Sequence, residues 1–190
     1  ESIEHYTQYY IHPPKDYNKW AKICINIIRH YNDGWKNGFH YNIKYWEIWN
    51  EPESKAMWLG TFLQYFQLYE VTSKAIKAYN PKLKVGGPAA TGAKSKLVEP
   101  FLTYCRDRSL PLDFFSWHRY TSNPQEIVKD TKTARTILDE YGFKNTESFL
   151  DEWHYMPSWA ALSPKNNMDS TVEGGFAATV GPDGAVFAAS

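Results

Sequence analysis

The chain has 190 residues, 43% of them hydrophobic, enough for one sizeable core and too apolar for a disordered segment. Its 21 basic and 21 acidic side chains cancel, which leaves no surplus for nucleic acid or an anionic membrane. No apolar run approaches the roughly 18 residues of a membrane span. The two cysteines, Cys24 and Cys105, show no Cys-x-x-Cys spacing and read as buried free thiols.

Pro13-Pro14 precede a helix over Asp16 to Tyr31, with apolar residues at helical spacing from Tyr17 to Tyr31. Ile43 to Asn50 is the first clear strand, and Pro52 stops it. Thr61 with Gln64 forms a capping box for a helix whose stripe runs Tyr65, Leu68, Tyr69, Thr72, Ile76 and Tyr79. A short strand follows over Leu83 to Gly87, then a helix over Leu97 to Arg106. Leu112 to His118 is a third strand; Asn123-Pro124 then supplies an N-cap and a first-turn proline for a helix that Gly142 closes. Glu147 to Trp153 is the last strand. Residues 156–183 are expected to form a long loop, Pro/Ser/Asn-rich from Met156 to Met168.

Regular alternation of helices with continuous apolar strands predicts an α/β fold with a parallel sheet. A doubly wound sheet would carry a Gly-rich phosphate loop, and no G-x-G-x-x-G or Walker pattern occurs. A (β/α)8 barrel gathers its functional residues at the carboxyl ends of several strands, where the carboxyl groups of this chain fall. Such a barrel needs about 250 residues and eight strands. Four strands are legible, so the expectation is a partial barrel.

Two stretches carry the chemistry. Trp46-Glu47-Ile48-Trp49-Asn50-Glu51-Pro52 brings an amide and a carboxyl group to a strand end between tryptophans. Leu150-Asp151-Glu152-Trp153-His154 ends a second apolar run in the same way. A carboxyl in apolar surroundings can stay protonated and serve as an acid, and indole faces pack on sugar rings. With 17% aromatic residues the chain has material for a carbohydrate cleft, although most of those rings are expected in the core. Alternation allows only one of Asp151 and Glu152 to face the barrel axis and does not say which. Glu47 shares the face of Glu51 one layer deeper, where an ion pair with a cation is expected. Trp46, Ile48, Phe115 and Leu150 are expected on the inner face.

These stretches, with Asp113-Phe114-Phe115-Ser116-Trp117-His118-Arg119-Tyr120 and Gly34-Trp35-x-x-Gly38-Phe39-x-Tyr41, resemble the retaining glycoside hydrolases whose (β/α)8 barrels carry acids on strands four and seven. Within that clan they resemble glycoside hydrolase family 39, the β-xylosidase and α-L-iduronidase family. The resemblance implies that 1–190 is part of one catalytic barrel, about strands four to seven, with strands one to three and eight absent. It implies a β-xylosidase-like glycosidase that works by double displacement, with Glu51 as acid/base and Glu152 as nucleophile, although a piece of a barrel could be inactive. Asn50 would bond the sugar 2-hydroxyl, with an ordinary loop asparagine as the alternative. His118, Tyr120, Trp49, Trp153 and His154 would contact substrate or hold Glu152; core packing is the alternative for each.

The implied partner is a carbohydrate, with no cofactor, metal, nucleic acid or membrane. A non-catalytic carbohydrate-binding barrel piece is the rival function. A metal-dependent barrel hydrolase built on His118, His154, Glu51 and Glu152 is a weaker one, because no H-x-H or H-E-x-x-H spacing occurs. No signal peptide is expected in the residues from Glu1, and the sugar, compartment and oligomeric state are left open.

Overall fold

The computed structural model describes residues 9–156. Side chains that satisfy the first free backbone N–H groups set the start of three helices. Asp16 accepts from Asn18 and Lys19 to open α1 (Tyr17–Asp33), which ends at Gly34 with φ +74°. Thr61 and Gln64 form the expected reciprocal box at α2 (Phe62–Tyr79). The third helix, α3 (Val98–Asp107), has no side-chain cap. Asn123 caps α4 (Pro124–Glu140), whose first residue is proline. None of these helices is long and apolar enough to cross a membrane.

Four strands, β1 (Tyr45–Glu47), β2 (Lys84–Ala90), β3 (Phe114–Thr121) and β4 (Glu147–Tyr155), form one sheet in the order β1-β2-β3-β4. Every pair is parallel, and a helix joins each strand to the next. The order never reverses, so there is no switch point of the doubly wound kind. Consecutive parallel strands with helices between them are half of a (β/α)8 barrel. The loop expected over 156–183 lies, beyond Met156, outside the described residues.

Strand boundaries differ from expectation in an instructive way. Only Tyr45–Glu47 of the expected Ile43–Asn50 runs as a strand. Trp49 (φ +74°) and Glu51 (φ +44°) occupy the left-handed region, which bends the chain out of the extended path. The bent segment stays attached to β2: Ile48 N–H donates to the Gly86 carbonyl and Glu51 N–H to the Ala89 carbonyl, both at 3.0 Å. By contrast β2 runs past the glycines that were expected to end it. Gly86 is needed there because a Cβ would come within 2.2 Å of the Phe114 carbonyl oxygen. The third and fourth strands also run further than expected, to Thr121 and Tyr155.

The core lies between the sheet and the helices. Ile48, Val85, Phe115 and Trp117 pack there with Tyr65, Leu68 and Tyr69 of α2, Phe101, Leu102 and Cys105 of α3, and Ala134 and Leu138 of α4. Trp46 and Leu150 pack against the same cluster. The four side chains expected on the inner face therefore turn to the helices. Alternation says which residues share a face, not which face is the inside. The inner face carries Tyr45, Glu47, Phe114, Ser116, His118, Glu147 and Phe149. Phe149 stacks on Phe114 at 4.9 Å and meets Tyr45 at 5.2 Å. Below them Lys84 pairs with Glu147, which also accepts from the Tyr45 hydroxyl at 3.0 Å.

Where β1 leaves the sheet, the Ile48 carbonyl accepts from the hydroxyl of fully buried Tyr65 at 3.0 Å. Tyr65→Phe strands that carbonyl, and such an orphan costs about 1–3 kcal/mol. Urea unfolding of the full-length protein is expected to show a loss of that size, with the slope against denaturant unchanged.

Candidate active site

The carboxyl ends of β1, β3 and β4 converge on His118, which is 1% exposed. Its Nδ1 lies 2.8 Å from Glu51 Oε1 and 3.5 Å from Glu152 Oε2, and its Nε2 lies 3.7 Å from Asp151 Oδ1. Both ring nitrogens thus face carboxyl oxygens, and both donate when the ring is protonated. Carboxyl oxygens of Glu51 and Glu152 and a ring nitrogen of His118 all lie within 4.8 Å of one another. These donors are also of the kinds that bind metals, and the 2.8 Å contact is a hydrogen bond. The Tyr120 hydroxyl donates to Glu152. Burial, then the Glu152 carboxylate, pushes the Tyr120 phenol up, so it remains a donor at neutral pH.

A bulge makes this convergence possible. Trp117 pairs with Leu150, but His118 pairs with Glu152, so Asp151 is an extra residue in β4. Without it, alternation from Leu150 would turn Asp151 inward and Glu152 toward the helices. With it, both carboxyl groups reach His118. The expectation that only one could face the axis is therefore corrected. The motif carries no glycine to announce a bulge; two adjacent carboxyl groups after an apolar run were the only sequence signal.

Glu47 corrects a second expectation. None of the ion pairs among the described residues includes it. Its carboxyl instead lies near Asp151, Glu152 and Ser116. The residue is exposed on the inner face, so these neighbours cover its carboxyl only in part. Desolvation, then the Asp151 contact, raises its pKa from an ordinary 4.5 to about 8.

Asn50 is half-buried beside Glu51, and its side-chain amide makes no hydrogen bond among the described residues. His154 lies opposite Tyr120 in the register and is exposed on the same side. Trp153 lies opposite Arg119, whose guanidinium pairs with Glu126 and Asp130 of α4, so alternation turns it from the carboxyl groups. Trp49 packs at 4.9 Å from Trp58 and 5.6 Å from Trp20, and its indole N–H donates to the Met57 carbonyl. The structure thus gathers Glu51, His118, Tyr120, Asp151 and Glu152, with Asn50 and His154 at the margin. It seats Trp49 in the wall and Trp153 on the far side. Sequence reading missed Glu53, whose Oε1 accepts from Thr91 N–H at 2.8 Å and Thr91 Oγ1 at 2.9 Å, tying the loops after β1 and β2.

A half barrel with paired carboxyl groups at the ends of its outer strands defines the clan of (β/α)8 glycoside hydrolases that the motifs suggested. The chain belongs to the glycosyl hydrolases family 39, whose profile matches residues 2–178. It is 32% identical over 173 residues to a beta-xylosidase of Geobacillus stearothermophilus, covering 80% of this chain and 33% of that protein. The structure of a glucosidase from Croceicoccus marinus superposes with a TM-score of 0.72 at 33% identity, over 77% of this chain and 32% of that one. A family 39 beta-xylosidase from Caulobacter crescentus superposes with a TM-score of 0.65 at 28% identity, over 78% and 32%. The chain spans about a third of the length of the relatives it matches.

The wall position of Trp49 has a measurable consequence. Removing a packed tryptophan costs up to about 3–5 kcal/mol. Trp49→Ala is expected to lose stability on that scale in denaturant while its folded fraction binds a sugar inhibitor with wild-type affinity. Weakened binding at unchanged stability would make Trp49 a sugar contact instead.

Proposed function

We propose that the protein carrying this chain is a retaining glycoside hydrolase that cleaves β-xylosides by double displacement. The carrying observation is the spacing of Glu51 and Glu152, whose oxygens come within 4.8 Å. Retaining pairs stand about 5–5.5 Å apart and inverting pairs about 6.5–9.5 Å, which leave room for a water. The beta-xylosidases among the relatives support the choice of sugar.

In this reading ionised Glu152 attacks the anomeric carbon while the glycosidic bond breaks, and Glu51 gives its proton to the departing oxygen. Glu51, now ionised, takes a proton from water as that water attacks the same carbon and releases Glu152. Tyr120 donates to Glu152 and fixes the oxygen that does not attack. His118 donates from Nδ1 to Glu51 and keeps it from swinging away. Asn50 offers its amide to the sugar 2-hydroxyl, a bond that strengthens as the transition state forms. No cofactor takes part.

Glu152→Ala in the full-length protein is expected to lose nearly all hydrolysis of an aryl β-xyloside. Azide fits the space left behind and attacks from that face, so turnover returns with a glycosyl azide of inverted configuration. Glu51→Ala is expected to keep formation of the covalent intermediate from substrates whose leaving groups need little acid help. Azide rescue of Asp151→Ala in place of Glu152→Ala would move the nucleophile by one residue. Failure of the wild-type protein to hydrolyse any glycoside would refute the reading.

A further inference from the structure

Pro52 has no N–H, so the ladder that joins the end of β1 to β2 is interrupted directly after Glu51. Glu51 N–H still donates to the Ala89 carbonyl at 3.0 Å. Two residues further along both chains a side chain takes over: Glu53 Oε1 accepts from Thr91 N–H at 2.8 Å and from Thr91 Oγ1 at 2.9 Å. A carboxylate thus stands where a continuing strand would offer a carbonyl. Its other oxygen is buried and accepts no hydrogen bond among the described residues, so Thr91 takes all of the bonding that Glu53 does there. Ser54 N–H donates to the Glu51 carbonyl at 2.9 Å and closes Glu51-Pro52-Glu53-Ser54 as a hydrogen-bonded turn, with buried Pro52 in its second position.

Strain lies at the same junction. Glu51 and Ala89 are bonded to each other and both are left-handed, at φ +44° and +50°. Such conformations persist in residues other than glycine only where neighbours hold them. Ala89 is held on both sides, since its N–H donates to Ser116 Oγ at 2.9 Å and its carbonyl accepts from Glu51. For the turn that carries Glu51, the next tie to the chain beyond β2 is the Glu53 carboxylate. We propose that Glu53 is a positioning residue, which clamps Thr91 and so keeps the Glu51 carboxyl where it protonates the departing oxygen. The proposal rests on the reading of Glu51 as acid/base. Glu152 is carried by β4 and bonded by Tyr120, so the clamp acts on the acid and leaves the nucleophile in place.

That selectivity separates positioning from a merely structural role. A leaving group of low basicity departs with little help from an acid, whereas a basic one needs the proton of Glu51 as the bond breaks. The value of kcat/KM reports this first cleavage. A clamp that only stabilises the fold would, when lost, lower the folded fraction and slow every substrate alike. A clamp that positions Glu51 would, when lost, slow the poor leaving group and spare the good one.

The test compares phenyl and dinitrophenyl β-xylosides in the full-length protein. Glu53→Ala is expected to lower kcat/KM for the phenyl glycoside by about 10²-fold, the scale of a slight misplacement of reacting groups, and to leave that for the dinitrophenyl glycoside near the wild-type value. With the dinitrophenyl substrate kcat and KM should fall together, because a displaced Glu51 is also a poor base and the covalent intermediate accumulates. Glu53→Gln keeps an oxygen for Thr91 and is expected to restore most of the loss. Thr91→Val removes the hydroxyl donor but keeps the N–H and the shape, and is expected to lower kcat/KM for the phenyl glycoside by about 3- to 10-fold, the scale of one hydrogen bond. It carries the same comparison if Glu53→Ala does not fold. The double variant should be no slower than Glu53→Ala alone. Equal slowing of both substrates, or losses that multiply in the double variant, would overturn the proposal and leave the proposed function standing. A wild-type protein that hydrolyses neither substrate would refute the proposed function, and the role of Glu53 would fall with it.

Discussion

A buried imidazole that faces three carboxyl groups is the constraint to which the rest of the sheet conforms. His118 sits on β3 and is almost wholly covered, so its two ring nitrogens need partners from neighbouring strands. Regular strands do not deliver them. The chain after β1 reaches His118 only by passing through left-handed residues at Trp49 and Glu51, and β4 only by inserting Asp151. Departures of the first kind cost about 1–3 kcal/mol each. Nearby packing offsets that cost: Trp49 is wedged between Trp20 and Trp58, and Tyr65 satisfies the carbonyl that the bend would otherwise leave bare.

The inner face is graded along the strands. At the amino end Lys84, Glu147 and Tyr45 form a closed polar set, and above it Phe114 and Phe149 stack. The next layer holds Glu47 with Ser116 and Asp151, and the top layer holds Glu51, His118, Glu152 and Tyr120. Stability is concentrated in the lower layers and reactive groups in the upper ones, the division expected of a barrel whose chemistry lies at the carboxyl ends.

What the sequence determined by itself was the order of elements and the chemistry they carry. Asp16, Thr61 with Gln64, and Asn123-Pro124 open their helices because the capping atoms lie within a few residues of the groups they satisfy. The parallel order follows from alternation of elements, and the family from the Asn50-Glu51-Pro52 and Asp151-Glu152-Trp153 neighbourhoods. Tertiary structure alone decided which face is the inside, how β1 ends, and that Asp151 and Glu152 both point inward. It also decided that Trp49 packs in the wall and that Glu47 meets a carboxyl. Period two fixes which residues share a face only while the strand stays regular, and the bulge in β4 and the left-handed turn after β1 are answers to His118, about 30 and 70 residues away in the chain. Contacts at that separation leave no local signature, because the residue that needs them and the residue that bends to supply them belong to different strands.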